Sequence, residues 1–65
     1  MKVEVIKKSG KVDKYKNVYD IYYLPTEEGK KIIITYPDEL DYGVEAEAEY
    51  SVEDLDKLVV TYPGE

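Results

Sequence analysis

The stretch that decides the fold is KKIIITY, residues 30–36, followed directly by Pro37. After two lysines it holds three consecutive isoleucines, a threonine and a tyrosine. All of these last five residues belong to types that favour strands. The run is short and lies between Gly29 and Pro37, which predicts a strand buried on at least one face rather than a helix. We therefore expect it to be the central strand of a small all-β domain.

Two segments before this stretch also have strand-like patterns. Residues 2–8 (KVEVIKK) place Val3 and Val5 on one face. Residues 18–24 (VYDIYYL) have one face that is wholly apolar or aromatic, which we expect to point inward, and a mixed face that we expect to point outward. The inward set is Tyr19, Ile21 and Tyr23, and the outward set is Val18, Asp20, Tyr22 and Leu24. Pro25 is expected to stop this strand, because proline cannot donate to a ladder.

A fourth strand is predicted at residues 44–50 (VEAEAEY), where the alternation is unbroken. Its inward positions are Val44, Ala46, Ala48 and Tyr50, and its outward positions are Glu45, Glu47 and Glu49. Glu and Ala favour helices, so a short helix is the competing interpretation. If this strand pairs with residues 30–36, Tyr36 should face Val44 and paired residue numbers should sum to about 80.

The remaining segments are shorter. Residues 51–57 predict one short 3₁₀ or α turn, with Ser51 in a capping position. Residues 58–62 (LVVTY) predict a last strand. Residues 11–17 fit either a strand or a loop.

Length and composition limit what the chain does. Sixty-five residues predict one domain, residues 1–65. The chain has no Cys and no His, which argues against disulfides, metal sites, cofactors and nucleophilic triads. The net charge is −6 and no Arg is present, so nucleic-acid binding is not expected. No apolar run is long enough for a signal peptide or a spanning helix. We expect a soluble monomer that is not an enzyme and does not act at membranes; its location is undetermined.

The order of the predicted elements resembles the Src-homology-3-like barrel, a small antiparallel barrel of five to six strands. The resemblance covers nearly the whole chain as topology. Residues 19–22 (YDIY) are similar to the aromatic run of that family, but its groove Trp has no counterpart here. The chain also resembles small archaeal chromatin proteins at residues 31–36 and 51–58. Their DNA-binding surface is basic, so that function is not implied for an acidic chain.

Six residue types are missing: Cys, His, Arg, Gln, Trp and Phe. With the EAEAE run and the regular Pro and Gly stops, this composition resembles a de novo designed small β-barrel. The first functional hypothesis is therefore a stable scaffold with no evolved activity, requiring no partner.

Two alternatives remain open. Eight tyrosines supply all the aromatic side chains, and Tyr is a favoured contact residue at interfaces. A protein- or peptide-binding module could use an exposed strand edge or surface tyrosines. The candidates are Tyr15, Tyr19, Tyr22, Tyr23 and Tyr42, although Tyr also fills thin cores. The further alternative is an acidic DNA mimic that uses the row of glutamates.

Overall fold

The computed structural model describes residues 1–38, 40 and 43–62. Within them the chain is all β, with six strands and one 3₁₀ turn. The elements are β1 (Lys2–Lys7), β2 (Val12–Tyr15), β3 (Asp20–Thr26), β4 (Gly29–Pro37), β5 (Glu45–Ser51), the 3₁₀ turn (Val52–Asp54) and β6 (Leu55–Thr61). The segment 11–17, which fitted a strand or a loop, contains β2, and β2 returns beside β1 as a hairpin arm.

The described strands form two antiparallel sheets of three, in the orders β2-β1-β6 and β3-β4-β5. The isoleucine strand is thus the centre of its own sheet, and β1 is the centre of the other. The expected closed barrel is not found, since no backbone ladder joins the two sheets in the described part of the chain. The rings of Tyr15 (β2) and Tyr50 (β5) meet with centroids 6.4 Å apart. Side chains rather than a backbone ladder therefore join β2 to β5, and we call this contact the seam between the sheets.

The core lies between the two central strands. Val3 and Val5 of β1 are buried with Ile32 and Ile34 of β4, as the alternation predicts. Full burial of each such side chain is worth about 1.5–3 kcal/mol. Val18 joins this core, although its place in the sequence pattern put it outside.

The burial of Val18, which the sequence pattern did not predict, has a local cause. Asn17 adopts a left-handed φ of 57°, which breaks the strand alternation before β3 begins. The N–H of Val18 donates to the carbonyl of Met1 at 2.9 Å, so Val18 is tied to the start of β1 rather than to β4.

The prediction for β3 was partly wrong. Ile21 packs against the core, but Tyr19 and Tyr23 are 57% and 66% exposed. Tyr23 pairs with Ile32 and so lies on the inner face of its sheet. The β2-β1-β6 sheet does not cover this edge, so the Tyr23 ring stays exposed. Pro25 does not stop the strand either, because β3 is an edge strand and a missing N–H on its outer side removes no ladder bond.

The pairing of β4 with β5 is confirmed, but its register differs from the prediction. Tyr36 faces Ala46 and Ile34 faces Ala48, so paired numbers sum to 82 rather than 80. The ladder continues through Pro37, and the N–H of Asp38 donates to the carbonyl of Val44 at 3.0 Å. Proline fits within β4 because its nitrogen faces away from β5.

The turn before the last strand is shorter than predicted. It covers Val52–Asp54 only, and Ser51 makes no side-chain capping bond. The last strand begins at Leu55 rather than at residue 58, because Leu55 is extended and pairs with Lys7 of β1 after a bulge.

Replacing Ala48 with leucine tests the packing between β5 and the core. Ala48 faces Ile34 and packs against the buried cluster, so the larger side chain should overpack it and cost about 1–3 kcal/mol. The control is Glu47→Thr on the exposed face, which should be neutral or mildly stabilising. Urea midpoints measure both changes. A higher midpoint for Ala48→Leu would show that the inward face of β5 is misassigned.

Candidate functional site

Strand β3 and the residue before it expose four large apolar side chains. Tyr19, Tyr22, Tyr23 and Leu24 are 57%, 41%, 66% and 44% exposed. We call these four residues the β3 surface. Tyr22 and Leu24 lie on the outer face of the sheet, whereas Tyr23 lies on the inner face, as its pairing with Ile32 shows. Tyr22 and Leu24 are therefore neighbours on one face, and contiguous exposed apolar side chains mark interaction sites.

The hairpin between β3 and β4 holds this surface in place. Thr26 pairs with Gly29 across the two-residue turn Glu27-Glu28. The hydroxyl of Thr26 donates to the carbonyl of Gly29 at 2.6 Å, and Gly29 has a φ of 132° that other residues rarely adopt. The turn therefore fixes where β3 ends relative to the central strand.

The backbone edge of β3 offers few hydrogen-bond donors for strand addition. The N–H of Ile21 donates to its neighbour's carboxylate, Asp20 Oδ1, at 2.8 Å, so this group points away from β4. Outward-pointing groups recur at every second residue, which makes Tyr23 and Pro25 the next two positions. Pro25 has no N–H. Among the outward positions of β3 only Tyr23 retains an open N–H, so this edge is poor in donors, although the outward carbonyls of Ile21, Tyr23 and Pro25 remain as acceptors.

Acidic side chains lie on the same outer face of the sheet as Tyr22 and Leu24. Ile33 of β4 is buried between its cross-strand neighbours Tyr22 and Glu49. Glu45, Glu47 and Glu49 are exposed along β5. Lys31 Nζ lies 2.9 Å from Glu49 Oε1, and this hydrogen bond raises the pKa of the lysine. The outer face thus grades from apolar at β3 to acidic at β5.

Tyr15 belongs to a different group, on the seam between the sheets. Its ring lies 5.0 Å from that of Tyr36 and 6.4 Å from that of Tyr50. The hydroxyls of Tyr15 and Tyr50 are hydrogen-bonded to each other. We call Tyr15, Tyr36 and Tyr50 the tyrosine cluster. Of the five candidate tyrosines, three lie on the β3 surface, Tyr15 lies in this cluster, and Tyr42 lies outside the described residues.

A carboxylate and a lysine complete the seam. The hydroxyl of Tyr50 donates to Asp13 Oδ2 at 2.8 Å. Lys7 Nζ lies 3.8 Å from the same oxygen and 5.4 Å from the centre of the Tyr50 ring. Nothing in the sequence pattern distinguishes Asp13 or predicts this role of Tyr50. The inward position of Tyr50 was visible in the alternation, but its contact with Asp13 joins residues that are 37 positions apart.

The seam changes the acidity of its two hydroxyls. Burial raises the pKa of Tyr50 far above its ordinary value, and the hydrogen bonds with Tyr15 and Asp13 add to the effect. Burial also raises the pKa of Tyr15, while its bond with Tyr50 opposes that change. Both hydroxyls therefore stay protonated where free tyrosines begin to ionise.

Among the described residues, no group of three or more His, Cys, Asp or Glu side chains is placed to hold a metal ion. In the same part of the chain, no helix has the length and apolarity needed to cross a membrane. Comparisons with protein-family models, curated proteins and solved structures find no match to this chain.

Alkaline unfolding tests the seam. The raised pKa of Tyr50 means that the unfolded chain loses this proton first, near its ordinary pKa of 10.0, so folded stability should fall as pH rises above that value. Tyr50→Phe should cost about 1 kcal/mol at neutral pH and should flatten the alkaline decline. Tyr22→Phe, on the exposed β3 surface, is the control. Urea unfolding at several pH values measures the free energy of unfolding. An equally steep decline of that free energy above pH 10 in wild type and in Tyr50→Phe would contradict the raised pKa of Tyr50.

Proposed function

We propose that this chain is a binding domain that recognises a protein partner through the β3 surface and performs no chemistry of its own. One observation carries the proposal: the chain exposes three tyrosines and a leucine within six residues of one strand and the segment before it. Tyrosine supplies a large contact area at low cost in side-chain entropy, which is why it is enriched in binding surfaces.

Charge indicates the chemistry of the partner. The glutamates of β5 lie on the same outer face as Tyr22 and Leu24, and Lys31 is already paired with one of them. A partner that places an apolar patch on β3 would bring its flanking side chains close to this acidic row. Complementary charge speeds association and selects partners. We therefore expect a partner surface with apolar side chains beside lysines or arginines.

The binding mode follows from the state of the β3 edge. The Asp20 carboxylate occupies the N–H of Ile21, and Pro25 removes another donor, so an added strand would find few donors for its own carbonyls. Side-chain contacts with the face of the sheet remain. A partner helix or loop suits such a surface better than an extended peptide that pairs along the edge.

Capture from a lysate with matched variants tests this function. The immobilised wild type is compared with the double variant Tyr22→Ser/Tyr23→Ser. The control is Tyr62→Ser, which removes another tyrosine that is 62% exposed and lies outside the β3 surface. A specific partner should be retained by wild type and by Tyr62→Ser. The β3 variant should lose it, because truncating an aromatic anchor costs about 2 kcal/mol of binding free energy.

Thermal melts of the three proteins ensure that lost capture reflects lost contacts and not unfolding. If the β3 variant captures the same partner as wild type, the β3 surface is not the binding site. If wild type captures nothing specific, the binding proposal fails and the second candidate takes its place.

The second candidate is a designed scaffold with no evolved activity. Its support is the composition, which omits six residue types and places Lys and Glu on the surface. This candidate predicts a monomer whose melt is unchanged by a chelator. Light scattering at two concentrations, beside melts with and without chelator, tests it. A mass that rises with concentration would contradict it.

The DNA-mimic hypothesis has less support. The row on β5 offers only Glu45, Glu47 and Glu49, and the ammonium group of Lys31 lies 2.9 Å from the last of them. A phosphate mimic needs a longer unneutralised line of charge.

A further inference from the structure

The tyrosine cluster has a chemical capacity that partner binding does not use. Tyr15 and Tyr50 share a hydrogen bond between their hydroxyls, and their rings meet nearly edge to face at 77°. The Tyr50 hydroxyl also donates to Asp13 at 2.8 Å. Two phenols therefore lie in contact, and one of them already has a proton acceptor attached.

This arrangement favours one-electron oxidation of Tyr50. A phenol that loses an electron becomes a strong acid, so its oxidation is easiest where an acceptor can take the hydroxyl proton in the same step. Asp13 is such an acceptor. Lys7 lies 5.4 Å above the ring and would oppose positive charge there. Because the proton leaves together with the electron, the ring of Tyr50 stays neutral.

The composition directs oxidation to tyrosine. The chain has no Cys, Trp or His, and Met1 is its one methionine. Eight tyrosines compete for the oxidant, and several of them are exposed on β3. Within the described residues, the tyrosine cluster is the place where a tyrosyl radical would have another tyrosine ring within 6.4 Å.

We propose that Tyr15 and Tyr50 form a site of oxidative cross-linking, where a one-electron oxidant joins their rings by a carbon–carbon bond. The oxidant accepts one electron from each phenol. The hydroxyl proton of Tyr50 passes to Asp13, and that of Tyr15 passes to water. The two radicals couple at carbons next to the hydroxyl-bearing carbons. The hydrogen on each coupled carbon then moves to its oxygen, which restores both phenols.

The product joins β2 to β5 covalently across the seam that lacks a backbone ladder. The cross-link closes a loop between residues 35 positions apart, which restricts the unfolded chain. Oxidation would therefore stabilise the contact between the two sheets, without a cysteine in the chain.

The test oxidises the purified full chain at low concentration with photogenerated tris(bipyridyl)ruthenium(III), a one-electron oxidant. The expected product has the mass of the monomer less two hydrogen atoms, shows dityrosine fluorescence and melts at a higher temperature. Peptide mapping should join the fragments that carry Tyr15 and Tyr50. Tyr15→Phe and Tyr50→Phe should each abolish this product, while the matched control Tyr22→Phe/Tyr23→Phe should retain it.

The variant Asp13→Asn tests whether Asp13 acts as a proton acceptor or only keeps the site in shape. The amide keeps an acceptor oxygen for the Tyr50 hydroxyl but cannot take its proton, so the yield should fall several-fold. Unoxidised melts verify that each variant is folded. The proposal is overturned if wild type gives only cross-links between chains, or if Tyr50→Phe yields as much intrachain product as wild type. An unchanged yield in Asp13→Asn would overturn the role of that carboxylate.

Discussion

The contact between the isoleucines of β4 and the valines of β1 is the interaction on which the rest of the structure depends. Val5 and Ile34 are fully buried, and Val3 and Ile32 are nearly so. Because β1 and β4 are each the centre of a sheet, this contact brings both sheets together. A chain of this length has room for only a small core, and it has no Cys for a disulfide, so each of these side chains supplies a large fraction of the stability.

The side chains beyond this small core have different environments at the two edges of the structure. At the seam between β2 and β5, the gap is filled by tyrosine rings whose hydroxyls end on each other and on Asp13. At β3, the other sheet covers Ile21 but leaves Tyr23 exposed. The same residue type therefore serves two purposes. In the seam it is packed and hydrogen-bonded, and on β3 it is exposed to solvent.

Much of this architecture is predictable because alternation fixes which face each residue takes. Val3 and Val5 were placed on one face of β1, and the glutamates and alanines of β5 on opposite faces, as the structure has them. The register of β4 with β5 was not predicted, since a shift of two residues leaves every side chain on the same face and the pattern cannot detect it. The barrel prediction was wrong for a related reason, because closure depends on contacts between the edges of distant strands.

The candidate site was predictable only in part. Tyrosines were identified as candidates, but the sequence assigned Tyr19 and Tyr23 to the interior. Their exposure depends on how far the opposite sheet extends over β3, and the local sequence pattern does not show this extent. The contact of Asp13 with Tyr50 depends on long-range packing in the same way, and Asp13 lies in a segment with no clear pattern of its own.

Hydrogen exchange of the β5 amides tests most directly the claim that two open sheets are joined by side chains. The bond from Asp38 to Val44 sets the alternation, so the amides of Ala46, Ala48 and Tyr50 point to β4. The account predicts slow exchange at these three residues and fast exchange at Glu45, Glu47 and Glu49. Protection of the glutamate amides as strong as that of their neighbours would mean a second ladder on the outer edge of β5. That result would contradict the open two-sheet structure.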